Sequence, residues 1–268
     1  MGLLPPDPRG ARGGGAARPG LRPPRVLRAG FEGAPRGPRG ARARSERRRA
    51  VKEEMGGARR VRVHDITRPL AAETAPWPGD VSFTLQWKET IRGGGLVNLS
   101  SISTSPHVGT HVDAPIHVRD GEPGAGELDL EPFLGPARVV LVGLGADGLV
   151  RPAALRGLDL ARPPRILLRT DSCPSSLEWN PRFAALAPET ADLLVRAGAI
   201  LVGIDTPGID PPDSRDLAVH RRLADGAVRW IEGLDLSRVQ PGVYELIALP
   251  LLIPGGDASP VRAVLIER

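Results

Sequence analysis

Cysteine is almost missing from this chain: Cys173 is the single one among 268 residues. One thiol excludes an internal disulfide framework and any zinc cluster built from cysteines. It lies in "RTDSCP", directly after an apolar run, and reads as a buried inert thiol rather than a nucleophile. Long apolar runs are missing too. None approaches the roughly 20 residues that a membrane-spanning helix needs. The first residues carry arginine from the outset and lack the apolar stretch of a secretory signal, so the sequence predicts a cytoplasmic protein with no membrane partner. No G-x-S-x-G elbow occurs, which removes the serine-hydrolase route. The glycine clusters "GGG" (Gly93–Gly95) and "GLGADG" (Gly143–Gly148) fit neither a P-loop nor a dinucleotide fingerprint and read as turns.

The formal charge of +5 is unevenly spread. Residues 1–54 hold 14 Lys and Arg against 5 Asp and Glu, and the remainder holds 22 against 26. A mildly acidic body therefore follows a basic extension. A third of those 54 residues are Gly or Pro, 10 and 8 respectively, with no apolar period. Such a segment cannot bury enough apolar surface to offset the entropy of ordering, so residues 1–58 are expected to be a disordered Arg/Gly/Pro-rich extension. Nucleic-acid binding is disfavoured because the arginines have no aromatic interleaving. A transit peptide would be richer in serine. "VKEE" before Met55 is what a purine-rich ribosome-binding site would spell if translated, so Met55 is expected to be the true start.

Residues 59–268 have the texture of one folded domain. Alternating or short β-branched runs predict strands over 60–67, 81–91, 96–105, 137–144, 165–170, 199–206, 243–253 and 261–267. "PWPGD" (Pro76–Asp80) is a turn. A helix is expected over 188–198, with Pro188 in its first turn and Gly198 as its stop, and a second over 213–226, with Asp213 or Ser214 as N-cap. Strands outnumber helices, and strand–helix–strand occurs around 189–206. The fold class is α/β, a mixed β-sheet with flanking helices.

Histidine is scarce, five in all, yet three lie within "PHVGTHVDAPIH" (Pro106–His117). Pro106, Gly109, Thr110 and Pro115 oppose a helix there. If the stretch is extended, His107, His111, Asp113 and His117 share one face, backed by Val108, Val112, Ala114, Ile116 and Val118. Imidazole and carboxylate on one face of an apolar frame are a ligand set for zinc or a similar divalent ion, and burying them without a cation would be unfavourable. Gly109 and Thr110 suit a bend or a close backbone approach. His64, in the alternating "RVRVH", has no second ligand in sequence beside it.

"HVGTHVDAPIH" resembles the H-x-G-T-H-x-D-x-P-x-H signature of the metal-dependent cyclase-like hydrolases, and among them the bacterial kynurenine formamidases (arylformamidases). "PWPGD", "GIDTPGIDPPDS" and "YELIALPLLIPGGDASPVRAVL" extend the resemblance over roughly residues 60–268. It implies a single cyclase-like (swivelling β/β/α) domain, a homodimer, and two divalent metal ions per subunit, zinc with manganese as the alternative. His107 and His111 would bind the first metal and His220 the second. Asp113 and Glu232 would bridge them, His117 would be the catalytic acid/base, and Trp77 would line the substrate pocket. The implied reaction is hydrolysis of N-formyl-L-kynurenine to L-kynurenine and formate in tryptophan degradation. The rival within the family acts on isatin or another cyclic amide or lactone. The loop around Gly121–Gly126 departs from the pattern and implies nothing.

Overall fold

Period-two patterning builds the centre of the molecule. In the strand Arg165–Arg169, Ile166 and Leu168 pack into one apolar cluster and Leu167 into another. Leu201 and Val202 divide in the same way in Leu201–Ile204, and so do Trp230 and Ile231 in Arg229–Glu232. Strands buried on both faces fit the parallel heart of an α/β sheet. The computed structural model describes residues 61–267, which belong to one compact unit. The expectations for residues 1–58 lie outside the described residues.

The strands, numbered in chain order, are β1 (Arg62–Asp65), β2 (Thr84–Glu89), β3 (Leu99–Ser103), β4 (His111–Asp113), β5 (Leu134–Leu141), β6 (Leu149–Val150), β7 (Arg165–Arg169), β8 (Ala185–Leu186), β9 (Leu201–Ile204), β10 (Arg229–Glu232), β11 (Gly242–Ile247), β12 (Ala258–Pro260) and β13 (Val264–Glu267). The α-helices are α1 (Pro188–Arg196) and α2 (Ala218–Asp225). The main sheet has nine strands in the order β1-β13-β11-β5-β7-β9-β10-β4-β12. The pairs from β5 through β10 are parallel and the outer ones antiparallel. Both helices bury their apolar faces in the second cluster, through Ala191 and Leu194 of α1 and Val219 and Leu223 of α2. The expected mixed sheet with flanking helices is what forms. Among the described residues no helix is long and apolar enough to cross a membrane. Away from the main sheet, β2 and β3 make a two-stranded ribbon whose residues are all exposed.

Several local expectations differ from the structure; the strand expected over 243–253, for one, ends at Ile247. The second helix begins at Ala218, not near Asp213 or Ser214. Ser214 Oγ instead accepts the N–H of Leu217, which adopts φ +48° and closes a turn. The carboxylate of Asp210 accepts the N–H groups of Val219 and His220, satisfying the first-turn donors from outside the helix. The strand expected over 81–91 stops at Glu89, before a 3-10 turn at Ile91–Gly93. Finally, 106–117 is not one extended segment: only His111–Asp113 is strand, and Pro115–His117 is a 3-10 turn.

Candidate metal centre and active site

Alternation along β4 turns His111 and Asp113 to one face and Val112 to the opposite, apolar cluster. Neighbouring β10 pairs antiparallel with β4, Ile231 opposite Val112 and Glu232 opposite His111. Glu232 thus enters the same face as His111. His220 reaches it from α2. His107 arrives across a bend at Gly109, whose φ of +75° favours glycine. Gly233 follows β10 at φ +66°, where an added Cβ would lie 2.1 Å from Gly109 O, so the backbones meet only because that position is glycine. Thr110 fastens the crossing: its Oγ donates to Gly233 O (2.6 Å) and accepts from Arg68 N (2.8 Å).

The side chains then converge. Asp113 Oδ1 lies 3.0 Å from His107 Nδ1 and 3.3 Å from His111 Nε2, and Asp113 Oδ2 lies 3.4 Å from His220 Nε2. Glu232 stands 3.3 Å from His111 Nε2 and 3.2 Å from His220 Nε2. His111, Asp113, His220 and Glu232 are all buried. Yet His111 Nε2 and Asp113 Oδ1 make no aligned hydrogen bond. Orphaned buried polar atoms are rare, and here they aim at a shared centre.

The outer atoms explain the aim. His111 Nδ1 is 3.1 Å from Gly109 O, His220 Nδ1 is 2.6 Å from Asp210 Oδ2, and His107 Nε2 is 2.9 Å from Asp257 Oδ2. Each imidazole has one nitrogen held by an oxygen, which leaves the other to face inward as a ligand does. Trp230 Nε1 donates to Asp113 Oδ2 (2.9 Å) and the N–H of Ile209 to Glu232 Oε1 (2.7 Å), so both carboxylates are also oriented. Donor atoms lie within 4.8 Å of one another in the sets His107/His111/Asp113, Asp113/His117/His220 and His107/His117/Asp257. Asp113, His107 and His117 each belong to two of these sets. Nitrogen and carboxylate donors in this density fit a divalent metal centre.

Electrostatics agree. Burial opposes the charged form of His111, but facing Asp113 and Glu232 outweigh it and raise its pKa to about 10. His220 is likewise raised well above its ordinary value, against burial, by Asp113, Asp210 and Glu232. Burial opposes the ionised form of Asp113 as well, yet its histidine partners hold the carboxyl well below the usual range. The carboxylates therefore demand positive charge, and without metal the imidazolium ions supply it. Each such pair stabilises the metal-free fold fully between about pH 4.5 and 6.5, the ordinary carboxylate and histidine values, and loses this in acid as the carboxylates protonate. That contribution is lost as pH rises through about 10 for His111. Metal binding needs neutral imidazoles and runs the other way. Metal added at pH 7 is expected to displace about two protons per chain, with affinity falling as pH is lowered. Calorimetry in buffers of different ionisation enthalpy measures this, and binding without proton release would refute it.

His117 stands apart from the buried cluster. Its side chain is 29 % exposed, with Nδ1 3.6 Å from Asp257 Oδ2. It opens on a cavity of about 620 Å³ that also reaches His107, Asp113, Glu232 and Trp77. Trp77 forms an aromatic wall there, edge-on to Trp179 at 4.7 Å between ring centroids and to Phe183 at 6.1 Å. The structure thus brings all seven residues expected at the site to one cavity and its floor. His64 lies far in the fold, on β1, bonded to Glu267. Cys173 borders the cavity, and burial pushes its thiol up, which disfavours the thiolate. Asp210, Asp257 and Trp230 were not singled out from sequence. The two acids lie inside "GIDTPGIDPPDS" and "GGDASP", so the stretches were marked but the residues were not.

Residues 64–211 match a family model described as "Putative cyclase". A curated relative, kynurenine formamidase of Bordetella pertussis strain Tohama I, is 43% identical over 206 residues, which is 77% of this chain and 98% of that protein. The chain belongs to the cyclase family. Among solved structures, a predicted metal-dependent hydrolase from Bacillus stearothermophilus is 26% identical with a TM-score of 0.66, covering 78% of this chain and all of that one. Isatin hydrolase A from Labrenzia aggregata, bound to benzyl benzoate, is 24% identical with a TM-score of 0.64, covering 82% of this chain and 98% of that one. That last likeness shows the shared family fold and nothing about substrate.

Proposed function

We propose that this chain is a metal-dependent arylformamidase that hydrolyses N-formyl-L-kynurenine to L-kynurenine and formate. One observation carries the reading: a relative named for that activity matches at 43% identity over 98% of its length. The cage and the aromatic cavity support it. The proposal includes two divalent ions per subunit, zinc before manganese, held by His107, His111, Asp113, His220 and Glu232. It includes a homodimer in the cytoplasm, with residues 59–268 as the hydrolase domain.

When bound, the two ions would supply an activated water at neutral pH and polarise the formyl carbonyl. The chain's own residues do the rest. A cavity of about 620 Å³ suits a ligand of this size. Trp77, braced by Trp179 and Phe183, offers the aryl ring an apolar face. The leaving group is an aniline nitrogen, a poor anion that needs a proton as its C–N bond breaks. His117, at the cavity and outside the buried cage, is placed to deliver it as a general acid. Asp257 bonds His107 and lies beside His117.

The test is hydrolysis of N-formyl-L-kynurenine before and after chelation, with metal analysis of the same sample. Turnover that chelator removes and zinc or manganese restores, at near two ions per chain, is expected. Two bound ions with turnover of isatin or a lactone but not of the formamide would replace this reading by the rival one.

A further inference from the structure

The mechanism leaves one buried cation in the cavity wall without a task. Arg68 follows β1 and is 9 % exposed, and it borders the same cavity as the cage. Its backbone N–H is fixed on Thr110 Oγ. Its Nη2 donates to two carbonyls, Cys173 O at 2.6 Å and Asp205 O at 2.8 Å, which uses both hydrogens of that nitrogen. Nε and Nη1 carry three further N–H donors, and no hydrogen bond joins them to any described residue. Neither atom is sealed in protein, and Arg68 lines the cavity.

No carboxylate among the described residues forms an ion pair with this guanidinium. Asp205 is nearby, but its oxygens are taken by Thr170 N, Thr170 Oγ and Asp171 N. Asp210 is held by His220 and the start of α2. The guanidinium is nine-tenths buried, and Asp205 attracts it without a direct ion pair, so its charge is only partly met. Its unbonded Nη1 amino group can give a carboxylate a charge-assisted hydrogen bond.

We infer that Arg68 is the anion anchor of the substrate cavity: its Nη1 receives the carboxylate on the amino-acid side chain of the substrate, while the formamide lies at the cage. This rests on the formamidase reading and makes Arg68 a specificity-determining residue. The two carbonyl bonds through Nη2 hold the guanidinium in place before substrate enters, so little ordering is needed on binding.

The wild-type enzyme with its metals is assayed on N-formyl-L-kynurenine, on its methyl ester, and on neutral 2′-formamidoacetophenone. The ester is expected to show a KM on the order of 10–100-fold higher than the acid with kcat little changed, the loss of a charge-assisted pair. In Arg68→Met that difference should vanish, with turnover of the neutral formanilide within about threefold of wild type; Arg68→Lys should keep part of it. An acid–ester difference that survives in Arg68→Met overturns the inference, as does equal loss on all three substrates, which marks a purely structural clip. So does a difference removed by Arg215→Ala instead, since that exposed arginine stands at the cavity rim. If wild type hydrolyses none of the three, the formamidase reading fails and binding decides Arg68 separately. Quenching of Trp77 and Trp179 fluorescence by 4-phenylbutyrate more tightly than by 4-phenylbutyramide, lost in Arg68→Met, upholds the anchor. Equal binding of acid and amide overturns it.

Discussion

Asp113→Ala is expected to strip both metal ions and to lower turnover by at least about a thousandfold, while the chain stays folded. The carboxylate stands at the one point where three imidazoles meet: His107 and His111 on Oδ1, His220 on Oδ2. Groups that merely orient a ligand change metal affinity about 10–100-fold when removed. A carboxylate shared by two ions should do more. It also carries negative charge that burial alone would remove, held by those histidines.

The fold should tolerate the change. Alanine leaves Trp230 Nε1 without its acceptor, which costs about 1–3 kcal/mol. It also removes a buried charge whose partners can become neutral. Metal content by mass spectrometry, read beside a thermal unfolding curve, separates the effects. Near two ions per chain in Asp113→Ala would remove the bridging role, whatever its activity. Asp113→Asn refines the result, since an amide keeps the contact with Trp230 but loses the charge. It should fold like wild type and still bind metal poorly.

How much of this was legible in sequence depends on what brings each residue in. His111 and Asp113 are two apart on a real strand, and parity alone places them together. His107 and His117 share that parity, but it is not what gathers them. A left-handed bend at Gly109 carries one back and a 3-10 turn carries the other over the cavity. These four side chains come together, but the extended geometry expected for them holds only in its middle. His220 and Glu232 are a different matter. Nothing local marks Glu232 as buried; it is delivered by the register of β10 on β4, across more than a hundred positions. Only family resemblance nominated it. β10 itself was missed because four residues following a helix and its glycine stop give too short an alternation to notice. The helix over 213–226 was overextended because Asp213 and Ser214 look like caps. Asp210, outside that span, supplies the cap by folding back. Its second bond, to His220 Nδ1, makes the same acid a support of the metal cage, which no helix-start rule could reveal.

His117→Ala should have the opposite profile: full metal content and a kcat lower by about 10²–10⁴-fold, the usual weight of a positioned acid or base. His117 sits with Nδ1 3.6 Å from Asp257 and its ring 4.5 Å from that of His107, partly exposed at the cavity. Removing it takes no carboxylate from the cage and leaves the ligands His111, Asp113, His220 and Glu232 with their present contacts. The competing role is real, because His117 also brings a donor atom within 4.8 Å of those of Asp113 and His220. Leaving-group chemistry distinguishes the two. If His117 donates the proton that frees the aniline nitrogen, a formanilide bearing a nitro group departs with less need of it. The loss in His117→Ala should then shrink by at least about tenfold on that substrate relative to the unactivated one. If His117 binds metal instead, the variant loses metal and both substrates slow equally. Unchanged metal content with an equal loss on both substrates would leave His117 outside proton transfer and assign it to holding the substrate.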